Sequence, residues 1–283
     1  MSYVVGIGAQ KAGTTWLAEY FYEHDEVFMS PYKEMLYFDA CHLPAHGINN
    51  WRQYWRRRHI DLSKYGPNNG IDTPEQSRDI HNLYLRTCMR SDKAYRDLLD
   101  YGAEGKLASC DMTPTYTDLD ATGYAHMKKC LGDPKIIFLV RNPIDRFISQ
   151  ARMDRRDGKR RSYREPMKLL QHHHYRKRGD YKRTLIELRK VFEPGKIHVA
   201  FYEKLFAPET RDSELKDICD FMGIGFRNPA SRERSNAARD KSFSLDENQR
   251  REVARHYEPV MRYMEEYGTL PQSWIKDLES IAE

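Results

Sequence analysis

The eight residues Gly8-Ala9-Gln10-Lys11-Ala12-Gly13-Thr14-Thr15 constrain this chain more than any others. They follow the apolar run Tyr3 to Gly8, which reads as a buried strand, and they lead into Leu17, Tyr20 and Phe21 at helical spacing. Glycine lets the backbone turn tightly and aim N–H groups at an anion, and the start of a helix adds partial positive charge. The spacing Gly-x4-Gly-x-Thr is that of a nucleotide phosphate loop with one change. Thr14 stands where the lysine of that motif belongs, and the lysine sits three positions earlier, at Lys11. An ordinary glycine turn is the plain alternative; the strand before, the helix after, and a Lys and two Thr within favour a phosphate-like ligand.

Two further apolar runs, Lys135 to Val140 and Ile197 to Tyr202, read as strands covered on both faces. Helical patterns cover Thr14 to His24, Ala121 to Leu131 with its stop at Gly132, a segment opened by Asn142-Pro143, Tyr181 to Phe192, and Ser213 to Met222. Ser244 with Glu247 predicts a capping box opening a last helix, which Pro259 should interrupt. Alternating strands and helices predict an α/β fold, a P-loop-type parallel sheet flanked by helices on both faces, in a single domain spanning 1–283. The stretch Asp39 to Lys106 lacks strand signals and predicts helical or loop insertions over the edge of the sheet where ligands of such folds sit.

A kinase or nucleotide hydrolase would place an acidic residue for magnesium at the end of another buried strand. The strand Lys135 to Val140 ends instead in Arg141, whose planar fork of donors suits a second anion, with a structural carboxylate pair as the plainer role. The whole chain carries 47 Lys plus Arg against 42 Asp plus Glu, a net +5, but the excess is local. From Arg152 to Arg183 there are 13 basic residues against four acidic ones, enough to make the rest of the chain acidic. Such a run is either a solvated face or a rim that draws anions into a cleft. It holds no recognised nucleic-acid module, so sequence-specific nucleic-acid binding is not expected.

Hydrophobic residues make up 40% of the chain, which excludes a disordered polyelectrolyte. No apolar run approaches the roughly 18 residues of a membrane span. Tyr3 to Gly8 is too short for a secretion signal, and the five scattered cysteines suit neither a disulfide framework nor a zinc knuckle, so a cytoplasmic location is expected. His172, His173 and His174 are consecutive, point in different directions, and predict no metal site. Trp51 and Trp55, four apart, read as a core stripe before a substrate platform. Oligomeric state is not encoded legibly.

With these residues in view, the chain resembles the sulfotransferase family that uses 3′-phosphoadenosine 5′-phosphosulfate (PAPS) and releases 3′-phosphoadenosine 5′-phosphate (PAP). GAQKAGTTWL, from Gly8, resembles the family's 5′-phosphosulfate loop, and VRNPIDRFIS, from Val140, its 3′-phosphate segment. Lys33-Glu34 followed by Tyr37-Phe38-Asp39, Gly47 to Trp55, Thr113-Pro114-Thr115-Tyr116, Gly179-Asp180-Tyr181 and Lys196 through Gly223 are similar to the heparan-sulfate branch, including its N-deacetylase/N-sulfotransferase and 3-O-sulfotransferase-like members. Leu36 and Met112 depart from that branch, where a histidine and a lysine are common, and Arg234 to Arg239 lacks the glycine of the usual basic loop.

The resemblance implies metal-independent, in-line transfer of a sulfuryl group to a hydroxyl or amine, and the lack of an apolar span or secretion signal makes an intracellular small-molecule, glycolipid or glycan acceptor, which can be anionic, the expectation. It implies Glu34 as base and Lys11 at the leaving oxygen. Gln10, Lys11, Ala12, Gly13, Thr14, Thr15 and Trp16 are then the 5′-phosphosulfate loop, with Arg141, Ser149 and Arg239 on the 3′-phosphate. Asp111, at the end of the short run from Lys106, is a second acid/base candidate whose plainer role is a cap or turn. A P-loop kinase or nucleotide hydrolase, and a non-catalytic polyanion binder using Arg152 to Arg183, are the competing expectations.

Overall fold

The computed structural model describes residues 1–30, 32–43, 73–156, 166–229 and 243–282. Five parallel strands form one sheet: β1 (Ser2–Gly8), β2 (Val27–Met29), β3 (Ala108–Met112), β4 (Lys135–Val140) and β5 (Ile197–Phe201), in the order β2-β3-β1-β4-β5. In β4 the five consecutive residues Ile136 to Val140 are almost fully buried. Successive strand residues point to opposite faces, so both faces of the sheet are covered by helices, as the apolar runs predict.

The helices start and stop on local chemistry. Asp120 accepts from the backbone N–H of Gly123 at 3.0 Å to open Ala121–Leu131, and Gly132 closes it in the left-handed conformation, φ 66°. Asn142 Oδ1 accepts from Ile144 N at 2.9 Å, directly before the helix Pro143–Arg156. Between β2 and β3, the described residues form the helices Tyr37–His42, Pro74–Thr87 and Asp92–Asp100, with no strand among them.

Four expectations need correcting. The strands β2 and β3 are additional to the three apolar runs, and Asp111 lies inside β3, wholly buried, instead of at a cap or turn. The capping box is made by Asp246 with Gln249, two residues after Ser244 and Glu247. The helix it opens, Glu247–Tyr263, runs through Pro259 and is followed by another, Gln272–Ala282. Val253, Ala254, Tyr257, Val260 and Met261 are all buried on one side of the first of these, so packing outweighs the missing proline N–H.

The central strand β1 has β3 on one side and β4 on the other, so the crossovers leave it in opposite directions. A crevice opens at such a reversal, at the carboxyl ends of the strands, where the Gly8–Gly13 loop, the turn after β2 and Arg141 all lie.

Candidate functional site

The loop after β1 needs both of its glycines. A Cβ on Gly8, at φ 143°, would lie 2.6 Å from Thr117 Cγ2 and 2.9 Å from the Pro114 carbonyl oxygen. One on Gly13, at φ 89°, would lie 2.7 Å from the Phe206 ring and 3.0 Å from that of Tyr202. Gly13 is the N-cap of the helix Thr14–Tyr22, and no side chain caps it. The first amides of a helix have no intrahelical acceptor, so those of Thr14, Thr15 and Trp16 are the ones suited to an anion. Ala12 differs, because its N–H donates to the Ala9 carbonyl at 3.1 Å inside the loop. The Trp16 indole is buried against Phe206, ring centroids 5.3 Å apart, which leaves that residue its backbone to contribute.

Lys11 takes a left-handed conformation, φ 73°, and its Nζ lies 3.8 Å from Met153 Sδ. Met153 and Ser149 are one turn apart on Pro143–Arg156, so the half-buried Ser149 lies on the helix face that meets the loop. Arg141 completes this side. Its Nη1 donates to the Lys11 carbonyl at 3.1 Å, its guanidinium lies 4.6 Å from the Tyr202 ring centroid, and the Tyr181 hydroxyl donates to the Arg141 carbonyl at 2.7 Å. The Arg141 Nε is buried with no hydrogen-bond partner among the described residues.

On the other side stands the turn after β2. Lys33 Nζ donates to Thr15 Oγ1 at 2.8 Å and lies 3.3 Å from Glu34 Oε1. One ammonium therefore joins the first turn of the loop helix to the carboxylate singled out in the sequence. Gln10 is bound by Arg178, which donates to its side-chain oxygen. Arg239 lies outside the described residues, as do Trp51, Trp55 and the rest of the stretch from Gly47.

Beneath the site lies a group of buried acids. Asp111 accepts from Thr113 Oγ1 at 2.7 Å, Tyr95 OH at 2.8 Å and Tyr116 OH at 3.0 Å. Burial pushes its carboxyl up to about 6, against the pull of those hydroxyls. Asp39 accepts from Thr115 and is pushed up to about 8, by burial first, with Asp118 and Asp111 adding to it.

The basic segment is only partly a rim. Arg178 binds Gln10, Arg183 donates to the Leu119 carbonyl at 3.1 Å, and Arg152 Nε to the Phe243 carbonyl at 2.9 Å. Arg155, Lys168, Arg176 and Lys182 are exposed, as are His173 and His174.

Sequence reasoning missed Lys33, Arg178 and Tyr202 as parts of this site. Lys33 had a signal, its place beside Glu34. Arg178 and Tyr202 reach the loop from 168 and more residues away and carry no local mark.

Together these residues form an anion cradle of helix amides, Thr15, Lys11, Lys33 and Arg141, with one carboxylate, Glu34, at its edge. No curated protein matches the chain. Its fold is similar to that of a sulfotransferase from Alicyclobacillus acidocaldarius, with a TM-score of 0.65 and 22% identity over 97% of this chain and 98% of that one. It is also similar to the sulfotransferase domain from the curacin biosynthetic pathway, with a TM-score of 0.51 and 17% identity over 84% and 80%. The model of the family described as "Sulfotransferase family" matches residues 4–229. Spanning most of the sequence and both anion-facing loops, that match makes the chain a member of the sulfotransferase family, an enzyme of sulfuryl transfer.

Proposed function

We propose that this chain moves a sulfuryl group from PAPS to a hydroxyl or amine, with Glu34 as base and Lys11 at the bridging oxygen. The observation that carries this is the Lys33 bridge, which sets the Glu34 carboxylate beside Thr15 and the loop helix. PAPS supplies the activated sulfuryl group and a leaving phosphate. The residues present fit it: the helix amides and Lys11 suit the phosphosulfate end, and the buried Nε of Arg141, without a partner among the described residues, suits a second phosphate.

In this reading Thr14, Thr15 and Trp16 give backbone N–H groups to the phosphosulfate, and the Thr14 and Thr15 hydroxyls add donors. Gln10 and Gly13 shape the loop, and Ala12 closes its turn through Ala9. Lys11 neutralises charge as it grows on the leaving oxygen, and Lys33 holds Thr15 and Glu34 in one orientation. Glu34 takes the acceptor proton as the oxygen or nitrogen attacks in line. Arg141 and Ser149 hold the 3′-phosphate, with Arg239 as a third partner.

The acceptor is a small molecule, glycolipid or glycan precursor, anionic where it meets the exposed cations of the 168–182 region. Lys33-Glu34 and Tyr37 to Asp39 support a relation to the heparan-sulfate branch. The whole of 1–283 acts as one domain, and its five free cysteines support a cytoplasmic place of work.

Labelled PAPS offered with a panel of hydroxyl and amine acceptors tests the reading. Glu34→Gln should lower turnover by about 10²- to 10⁴-fold, the usual worth of a general base, while PAP affinity stays within about twofold. Wild-type turnover in that variant would remove Glu34 from the mechanism.

A further inference from the structure

Glu34 and Leu36 both have left-handed backbones, φ 63° and 56°, two non-glycine residues within three positions. Such a backbone is strained for a residue with a side chain, so the turn persists only if bonds outside it hold it there. Those bonds come from β3 and the segment just after it. The Glu34 N–H donates to the Met112 carbonyl at 3.1 Å, and the Tyr37 N–H to the Tyr116 hydroxyl at 3.0 Å. Tyr116 passes the load on, because the hydroxyl that accepts from Tyr37 donates its own proton to Asp111 Oδ2. Tyr95 donates to the same oxygen and stacks its ring on Tyr37, centroids 4.5 Å apart. Asp111 is thus bound, through Tyr116, to the amide that directly follows the left-handed Leu36.

From this geometry we infer that Asp111, acting with Tyr116 and Tyr95, is a positioning residue that fixes the turn carrying Glu34. Asp111 touches neither donor nor acceptor in this arrangement. It sets where the Glu34 carboxylate points and, through Lys33, how that carboxylate registers with Thr15. The inference rests on the reading of Glu34 as base for its catalytic meaning, but the holding of the turn is a separate physical claim. A displacement of about 1 Å in a reacting group costs roughly 10²-fold in rate, so the device should be visible in turnover.

The test compares Tyr116→Phe, Tyr95→Phe and Asp111→Asn with Glu34→Gln. Tyr257→Phe is the control, a buried tyrosine whose hydroxyl bonds the Tyr175 carbonyl at 3.2 Å, away from this turn. Three quantities are read: amide hydrogen exchange over residues 32–38, PAP affinity, and release of labelled sulfate from PAPS to water. Tyr116→Phe should speed exchange at Tyr37 by at least about tenfold. It should lower the turnover rate about 10- to 100-fold with KM for PAPS and PAP affinity within about twofold, while Tyr257→Phe leaves exchange in the turn and turnover unchanged. Unchanged exchange and turnover in Tyr116→Phe and Tyr95→Phe would overturn the inference, even if Asp111→Asn fails to fold. If exchange rises but Glu34→Gln keeps full activity, the base assignment fails while Asp111 still stands as the anchor of the turn.

Discussion

Asp39 shows how burial sets the chemistry of single residues in this protein. Its carboxyl is wholly buried and pushed up to about 8, whereas an aspartate in an unfolded chain ionises near 3.9. Between those values the folded protein holds a proton that the unfolded chain releases. The stabilising contribution of the neutral acid is therefore full below about pH 4 and is lost as pH rises through about 8. Asp39→Asn should flatten this slope: the melting temperature of the variant should gain on that of the wild type as pH rises from 5 to 8. Parallel melting curves across that range would mean that Asp39 is ionised in the fold. The sequence marks Asp39 only through its distance from Lys33-Glu34, and it carries no sign of burial. The places of Gly8, Lys11, Gly13 and Arg141 at the ends of β1 and β4 were legible because they depend on neighbours in the chain. Those of Asp39, Asp111 and Arg178 depend on residues 70 or more positions away or on packing between strands, which no local pattern records.

Among the elements, the legible ones were those with a full period of apolar residues or a strong terminal signal. The helix Ala121–Leu131 and the strand Lys135–Val140 lie where Gly132, Pro134 and the KIIFLV run place them. Val27–Met29 is three residues long, too short for any periodicity, and Ala108–Met112 contains Ser109, which donates to the Leu99 carbonyl at 2.6 Å, and Asp111, whose burial is made possible by tyrosine and threonine hydroxyls. The last two helices have a role that their sequences do not declare. Arg250 grips Asp277 with two bonds of 2.6 and 2.7 Å and reaches Asp145 at 2.9 Å, while Asn142 Nδ2 donates to Asp277 at 2.7 Å. Glu203 adds a second tie, accepting from the Asn142 N–H at 2.8 Å and from Trp274 at 3.0 Å. The C-terminal helices thus brace the residue that follows Arg141. Asp277→Ala leaves the Asn142 side-chain amide without its acceptor and Arg250 with Asp145 alone, and because Arg250 is partly exposed the expected cost is about 2 kcal/mol, below the usual range for a wholly buried pair. Denaturant unfolding should register that loss together with weaker PAP binding. A stability loss with unchanged PAP affinity would detach this brace from the anion site.

At the scale of the whole molecule, charge is divided between structure and surface. The +5 of the chain resides in the 152–183 segment, yet Arg152, Arg178 and Arg183 are drawn inward to carbonyls and to Gln10, so the field over the cleft comes from fewer cations than the count suggests. A short list of fixed cations, Lys11, Lys33 and Arg141, should therefore govern recognition, and ligand geometry should matter more than total negative charge. Thermal denaturation separates these cases, because a ligand that binds only the folded state stabilises it by RT ln(1 + [L]/Kd), about 2.7 kcal/mol at a hundredfold excess over Kd. PAP should raise the melting temperature by several degrees without magnesium, and Lys11→Ala should remove most of that rise. ATP with magnesium should do little, since the lysine of a nucleotide loop is replaced here by Thr14 and the strand Lys135–Val140 leads into Arg141 where a magnesium-binding acid would stand. Heparin, with more charge but no matched pair of phosphates, should stabilise less than PAP and lose its effect as salt screens the exposed Arg155, Lys168, Arg176 and Lys182. A response to ATP–magnesium in place of PAP would assign the loop to nucleotide phosphate chemistry, and a response to heparin alone would reduce it to a relic beside a polyanion surface.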